Sequence, residues 1–277
     1  MLGSEVAGTR PNPYLSSGFF WYSEGNSSYN SLQVDLIRRL AQGLQFRANY
    51  SWAKTLDVNS SLTGAQASNQ AQMVLDRNDL RRDWGLSALD ITHQASVSGR
   101  YDLPFGRGKH WQGSAGGLEN KLVGGWQLNG IATLLSGFPF TPQIGSSRSG
   151  DGDTRNPDRP TLNSSFSGPV LLENPHQWFN PNAFVLPVPG TYGNLGRGTL
   201  SGPGLANLDV SLFKGTALSE RIEMQFRAEF FNVLNHTNFA TPNPIVFSNG
   251  AISSSAGLIT ATATTSRQIQ FGLKLIF

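Results

Sequence analysis

Apolar and polar residues alternate with a period of two over much of this chain. Leu44, Phe46, Ala48, Tyr50 and Trp52 share one parity and Gln45, Arg47, Asn49 and Ser51 the other, which in a strand gathers the rings and aliphatics on one face. From Arg221 the pattern returns, with Ile222, Met224, Phe226, Ala228 and Phe230 against Arg221, Glu223, Gln225, Arg227 and Glu229. At the C-terminus Ile269, Phe271, Leu273, Leu275 and Phe277 alternate with Gln268, Gln270, Gly272 and Lys274. Weaker alternations occupy Leu32/Val34/Leu36, Ala95 to Leu103, Trp126 to Leu134 and Leu208 to Leu212. These patterns predict about seven strands, each near the ~9 to 11 residues of a tilted membrane strand.

The connections alternate in length. Arg38 to Gly43, Pro104 to Gly125 and Gly215 to Glu220 are the shorter links, whereas 57–92, 137–206 and 233–266 are long and rich in Gly, Ser, Asn and Pro. Short turns at one end and long loops at the other are the signature of a transmembrane β-barrel, and a compact soluble domain rarely holds several structureless loops longer than ~15 residues. A water-soluble β-sandwich alternates in the same way, because one face of each sheet is buried and one wet. Three features favour the barrel: aromatics at strand ends (Trp52, Tyr101, Trp126, Phe230, Phe277), strand-interior charges on the polar parity, with the exceptions Lys54, Arg38 and Lys214 expected at strand ends where a charge costs only about 0 to 1 kcal/mol, and the loop asymmetry. The expected fold is all-β, an antiparallel up-and-down transmembrane β-barrel segment of about seven strands. An odd number leaves the first and last strands pointing the same way, so the barrel is incomplete and the chain reads as a fragment with strands missing upstream of Ser27.

Composition narrows the classes. Charged residues make up 14% of the 277 residues, against roughly 25% in ordinary soluble domains, while 38% apolar and 10% aromatic content is too much for a disordered chain. No cysteine is present, which excludes disulfides, thiolate nucleophiles and iron–sulfur ligation. A net charge of +3 without a clustered basic face argues against nucleic acid as a partner. Residues 1–10 show neither a basic n-region nor an apolar h-region, and Lys121 to Arg148 is too interrupted by Gly, Asn, Gln and Pro to be a membrane helix.

The segments from Asn26 to Asp57, Asp90 to Lys109, Leu122 to Pro142, Trp178 to Phe184 (WFNPNAF), Gly193 to Lys214, Met224 to Asn243 and Arg267 to Phe277 (RQIQFGLKLIF) together resemble the C-terminal part of Oar-like TonB-dependent receptors. The resemblance runs over nearly everything after residue 25. It divides the chain into a remnant, 1–25, of irregular or extracellular-loop character and the C-terminal strands of the receptor barrel, 26–277. In that family a plug domain with a TonB-contacting segment, and often a carboxypeptidase-regulatory-like domain, precede a large outer-membrane barrel. The resemblance implies an outer-membrane location, long loops outside, a periplasmic C-terminus, and energised import of a siderophore, oligosaccharide or peptide. TonB would act only through the N-terminal part, which this sequence lacks. The implied partners are outer-membrane lipid, the missing plug and upstream strands, and the barrel-assembly machinery. The last strand, Ile269, Phe271, Leu273, Leu275 and Phe277, resembles the C-terminal assembly signal of outer-membrane proteins, an alternating edge open to capture by strand addition.

Signals for catalysis are weak. His93, His110, His176 and His236 are isolated in sequence, without metalloprotease spacing, and no G-x-S-x-G elbow exists. No enzyme and no cofactor is expected. Gly106-Arg107-Gly108-Lys109 lacks the rest of a phosphate loop and reads as a periplasmic turn. Asp151 to Asp158 groups oxygen ligands as calcium loops do, yet Arg155 interrupts them and no Glu closes the loop, so a solvated turn is expected. Asp76 to Trp84 alternates in sign, which suits loop ordering by ion pairs. Two functions remain: a receptor barrel with Arg47, Asn49, Arg221, Glu223, Arg227 and Glu229 lining the lumen, or a structural or adhesive outer-membrane β-protein whose loops bind a partner without import.

Overall fold

The computed structural model describes residues 23–60, 74–76, 78–150 and 158–277. Most of the 1–25 remnant and of the candidate calcium loop therefore lies outside the described residues. Seven strands form one antiparallel meander in chain order: β1 (Ser27–Ala41), β2 (Leu44–Asp57), β3 (His93–Asp102), β4 (Trp126–Leu135), β5 (Leu205–Ala217), β6 (Glu223–Phe231) and β7 (Gln268–Ile276). A two-residue strand, Gly85–Leu86, adds to the end of β2. Each of the seven has 9 to 15 residues, enough for a tilted crossing.

The strand ends differ from the sequence reading where alternation is a poor guide. The weak Leu32/Val34/Leu36 pattern belongs to the longest strand, and the link after it is only Gln42-Gly43, both at positive φ (54° and 80°), as a primed two-residue hairpin requires. Added bulk at Gly43 would also meet the Asp102 carbonyl at 2.9 Å. Because β2 runs on to Asp57, Trp52 lies inside it rather than at its end, level with the first residue of β3 through the Trp52/His93 pair.

Cross-strand register aligns the two parities over the whole sheet, since directly opposed residues share a face. Leu36, Ala48, Val97 and Ala132 form one row, and Leu128, Leu212, Ala228 and Phe271 another. One face is therefore mainly apolar across all seven strands, the exceptions Arg38, Lys54 and Lys214 lying within the longer strands but toward their ends, and among the described residues nothing covers its middle rows: Leu32 is 57% exposed, Leu134 53% and Phe271 67%. The opposite rows read Asp35, Asn49, Ser96, Thr133 and Asn207, or Ser211, Glu229 and Gln270.

The packed core sits elsewhere, in the long loops, which are not structureless. Phe140, Ile144, Phe179, Ala183, Phe184, Leu195 and Leu200 of the β4–β5 loop bury against Val246, Phe247 and Ala256 of the β6–β7 loop. Phe179 stands 5.9 Å from both Phe140 and Phe184, ring centroid to centroid. Short strand pairs stitch this cap, including Gln143–Ile144 running parallel to Ile245–Ser248. The expectation of irregular loops fails because Gly, Ser, Asn and Pro here punctuate compact turns around those large apolar residues.

Candidate functional site

Two polar regions stand out, one along the sheet and one at its long-loop end. The first is the polar sheet face. Arg47 of β2 grips Asp35 of β1 with both guanidinium nitrogens, Nε to Oδ1 at 3.0 Å and Nη2 to Oδ2 at 2.8 Å. Arg100 does the same to Asp102 at 3.0 and 3.3 Å, and Gln127 Nε2 adds a bond to that carboxylate at 2.9 Å. Arg227 donates to Gln225 Oε1 at 3.1 and 2.7 Å and lies over the Phe213 ring. Asn49 stands opposite Asp35 and Ser96. Glu223 and Glu229 share the face with Arg227. Arg221 does not: it falls in the turn before β6, beyond the ladder, because the backbone bends at 218–221.

The second region is the junction of sheet and cap. Asp57 ends β2 and pairs with Arg197 of the β4–β5 loop. Ser60 ties the junction together, with Oγ 3.2 Å from Asp57 Oδ1, 3.1 Å from Ser87 Oγ and accepting from Ala88 N at 2.8 Å. Burial pulls the Arg197 guanidinium down to about 10. A second buried pair joins Asp83 to Arg159 at 3.0 Å, each side chain about 5% exposed. Asp83 also accepts from Leu75 N at 2.8 Å, and Arg159 donates to Arg82 O at 3.1 Å. Desolvation outweighs the ion pair at both groups, raising the Asp83 carboxyl and lowering the Arg159 guanidinium from their ordinary values. The sign-alternating run thus orders the loop by reaching across to another part of the chain. Its partner, Arg159, carried no local sequence signal.

Asp158, the described end of the candidate calcium loop, accepts from Arg148 N, Ser149 N and Ser149 Oγ at 2.6, 2.5 and 3.0 Å. Among the described residues no group of three or more His, Asp or Glu could hold a metal ion. His93 Nδ1 lies 2.9 Å from the Tyr50 hydroxyl, and His236 Nδ1 3.1 Å from Asn238 Oδ1.

A sheet whose apolar face lies open over seven strands, with its buried core displaced into the loops, is the wall of a membrane-spanning β-barrel. A family model described as an outer membrane beta barrel domain matches residues 2–270. The chain belongs to that family and is an outer-membrane protein. Comparison with curated proteins and with solved structures gives no match.

Proposed function

We propose that the seven strands are the C-terminal part of an Oar-like TonB-dependent receptor barrel whose full-length form imports a siderophore, oligosaccharide or peptide. The observation that carries the membrane half of this reading is the shared register, which leaves the middle of one face apolar, with Arg38, Lys54 and Lys214 toward its ends. The receptor half rests on the segment resemblance from Asn26 to Phe277. Short turns face the periplasm, the cap faces outside, and Phe277 ends on the periplasmic side. Arg47, Asn49, Glu223, Arg227 and Glu229 line the lumen toward plug or solute, and Arg221 sits at its periplasmic mouth.

Among the described residues β1 and β7 each keep one edge unpaired. In hydrocarbon such an edge costs several kcal/mol per N–H or C=O, and β1 and β7 run in the same direction, so an antiparallel closure takes further strands. Those strands and the plug belong to the parent chain, and the barrel-assembly machinery recognises Ile269, Phe271, Leu273, Leu275 and Phe277. The folded cap equally suits a structural or adhesive β-protein. Photo-crosslinking of the full-length product to TonB in energised cells separates the two: a TonB adduct supports import, and a correctly assembled outer-membrane product that never yields one leaves the adhesive role.

A further inference from the structure

The connection between β3 and β4 carries a short helix, α1 (Gly117–Val123), on the apolar side of the wall. Trp126 opens β4 on the apolar parity, opposite Lys214, and its indole Nε1–H donates to Leu122 O at 3.1 Å. Lys214, on the same face, donates to Gly124 O at 2.6 Å and stacks its ammonium 4.8 Å from the Trp126 ring centroid. These bonds hold the end of α1 beside the greasy face, at the short-turn end of the strands.

What α1 presents outward is amphipathic. Leu118 and Leu122, one turn apart, are 79% and 71% exposed, and Trp111 is 56% exposed. Arg107, Lys109 and Lys121 are exposed in the same connection, with Glu119 the one acidic residue between Leu103 and Gly125. Among the described residues these three cations form no ion pair, whereas the buried cations of the cap, Arg159 and Arg197, are paired with Asp83 and Asp57. Exposed leucines and tryptophan with flanking Lys and Arg suit a helix lying in a headgroup layer, and basic clusters there favour anionic lipid.

We propose that residues 103–125 form a membrane-interfacial foot: Leu118, Leu122 and Trp111 enter the boundary of the periplasmic leaflet, while Arg107, Lys109 and Lys121 contact the phosphates of an anionic phospholipid. The occupant follows from continuity with the lipid-covered face and from the charge of the connection. The inference rests on the barrel reading above, with short turns inside.

These 277 residues hold no cysteine, so once any cysteine elsewhere in the full-length product is replaced by serine, each introduced thiol takes a single label. The full-length product carrying a fluorophore at L122C, V97C (middle of β3, apolar face) or S248C (exposed in the cap) is reconstituted into phosphatidylcholine vesicles containing nitroxide lipids. L122C is quenched most by nitroxide near the headgroup, V97C most by nitroxide deep in the chains, and S248C by neither. L122C behaving like S248C while V97C stays quenched overturns the foot alone; an unquenched V97C overturns the wall reading and the foot with it. Replacing half the phosphatidylcholine by phosphatidylglycerol strengthens headgroup quenching at L122C, and this gain is lost in R107Q/K109Q/K121Q with V97C unchanged. An equal gain in that variant overturns the anionic contact.

Discussion

Asp57, the last residue of β2, is ion-paired with Arg197, which belongs to the loop joining β4 to β5. Both side chains are almost fully buried, so the pair fastens the cap to a wall strand from which it is distant in sequence. Removing one partner of such a pair strands a buried charge, at about 3 to 5 kcal/mol. R197A or D57A should therefore loosen the cap, read as faster proteolysis of the β4–β5 loop in outer-membrane vesicles. D57L/R197L should restore part of the resistance, since apolar replacement of both members is often neutral.

The face assignment is tested by neighbours in β3. V97R places a cation on the apolar face near mid-strand and should cost about 2 to 4 kcal/mol of folding stability in lipid. S96R enters the polar face opposite Asn49 and Thr133 and should stay within about 0.5 kcal/mol. Urea titration in lipid vesicles measures both, and equal losses would overturn the assignment.

The cap core makes a separate claim. Phe179 is fully buried between Phe140 and Phe184, so F179A should cost about 3 to 5 kcal/mol. The loss should appear in hydrogen exchange of the two long loops while the amides of β2 and β3 keep their protection.

The Asp83 carboxyl is raised by burial despite Arg159. The folded cap therefore holds this proton to higher pH than the unfolded chain does. The sign follows from linkage: between the ordinary value of 3.8 and the raised one the native state binds more protons, so this group's contribution to stability grows as pH falls. Cap stability of the natural chain relative to D83N should rise from neutral pH toward pH 4, measured by pulse proteolysis at each pH. The reverse slope would mean that Arg159 dominates the titration.

At the C-terminus, Phe277 is 89% exposed beyond the last ladder residue, so packing among the described residues does not account for an aromatic there. F277S should lower the amount of assembled full-length protein, scored as the heat-modifiable band, with little change in its melting once assembled. An unchanged band would remove the assembly role.

Strand number, order and loop asymmetry were legible because alternation and turn residues are local signals, strong from Leu44 to Trp52 and from Ile269 to Phe277. The length of β1 was not, since Arg38-Arg39-Leu40 breaks the alternation at a register irregularity, after which Ala41 still pairs with Leu44 of β2. Arg221 continued the polar parity of β6 on paper, yet pairing of β6 with β5 and β7 starts at Glu223. The cap escaped the reading for a related reason. Its core draws single large residues, such as Phe140, Phe179 and Val246, from distant turns, and its buried pairs join Asp57 to Arg197 and Asp83 to Arg159. No periodic signal marks partners that only tertiary contact brings together.

Because residues from two different loops interdigitate in one buried cluster, the long-loop ends of β4, β5, β6 and β7 are coupled to one another. The spacing of those ends is fixed by side-chain packing in the cap as well as by the ladder below it. A mutation that swelled Phe140 or Val246 would thus act like a wedge in a hinge, shifting those strand ends without touching a single residue of the seven strands.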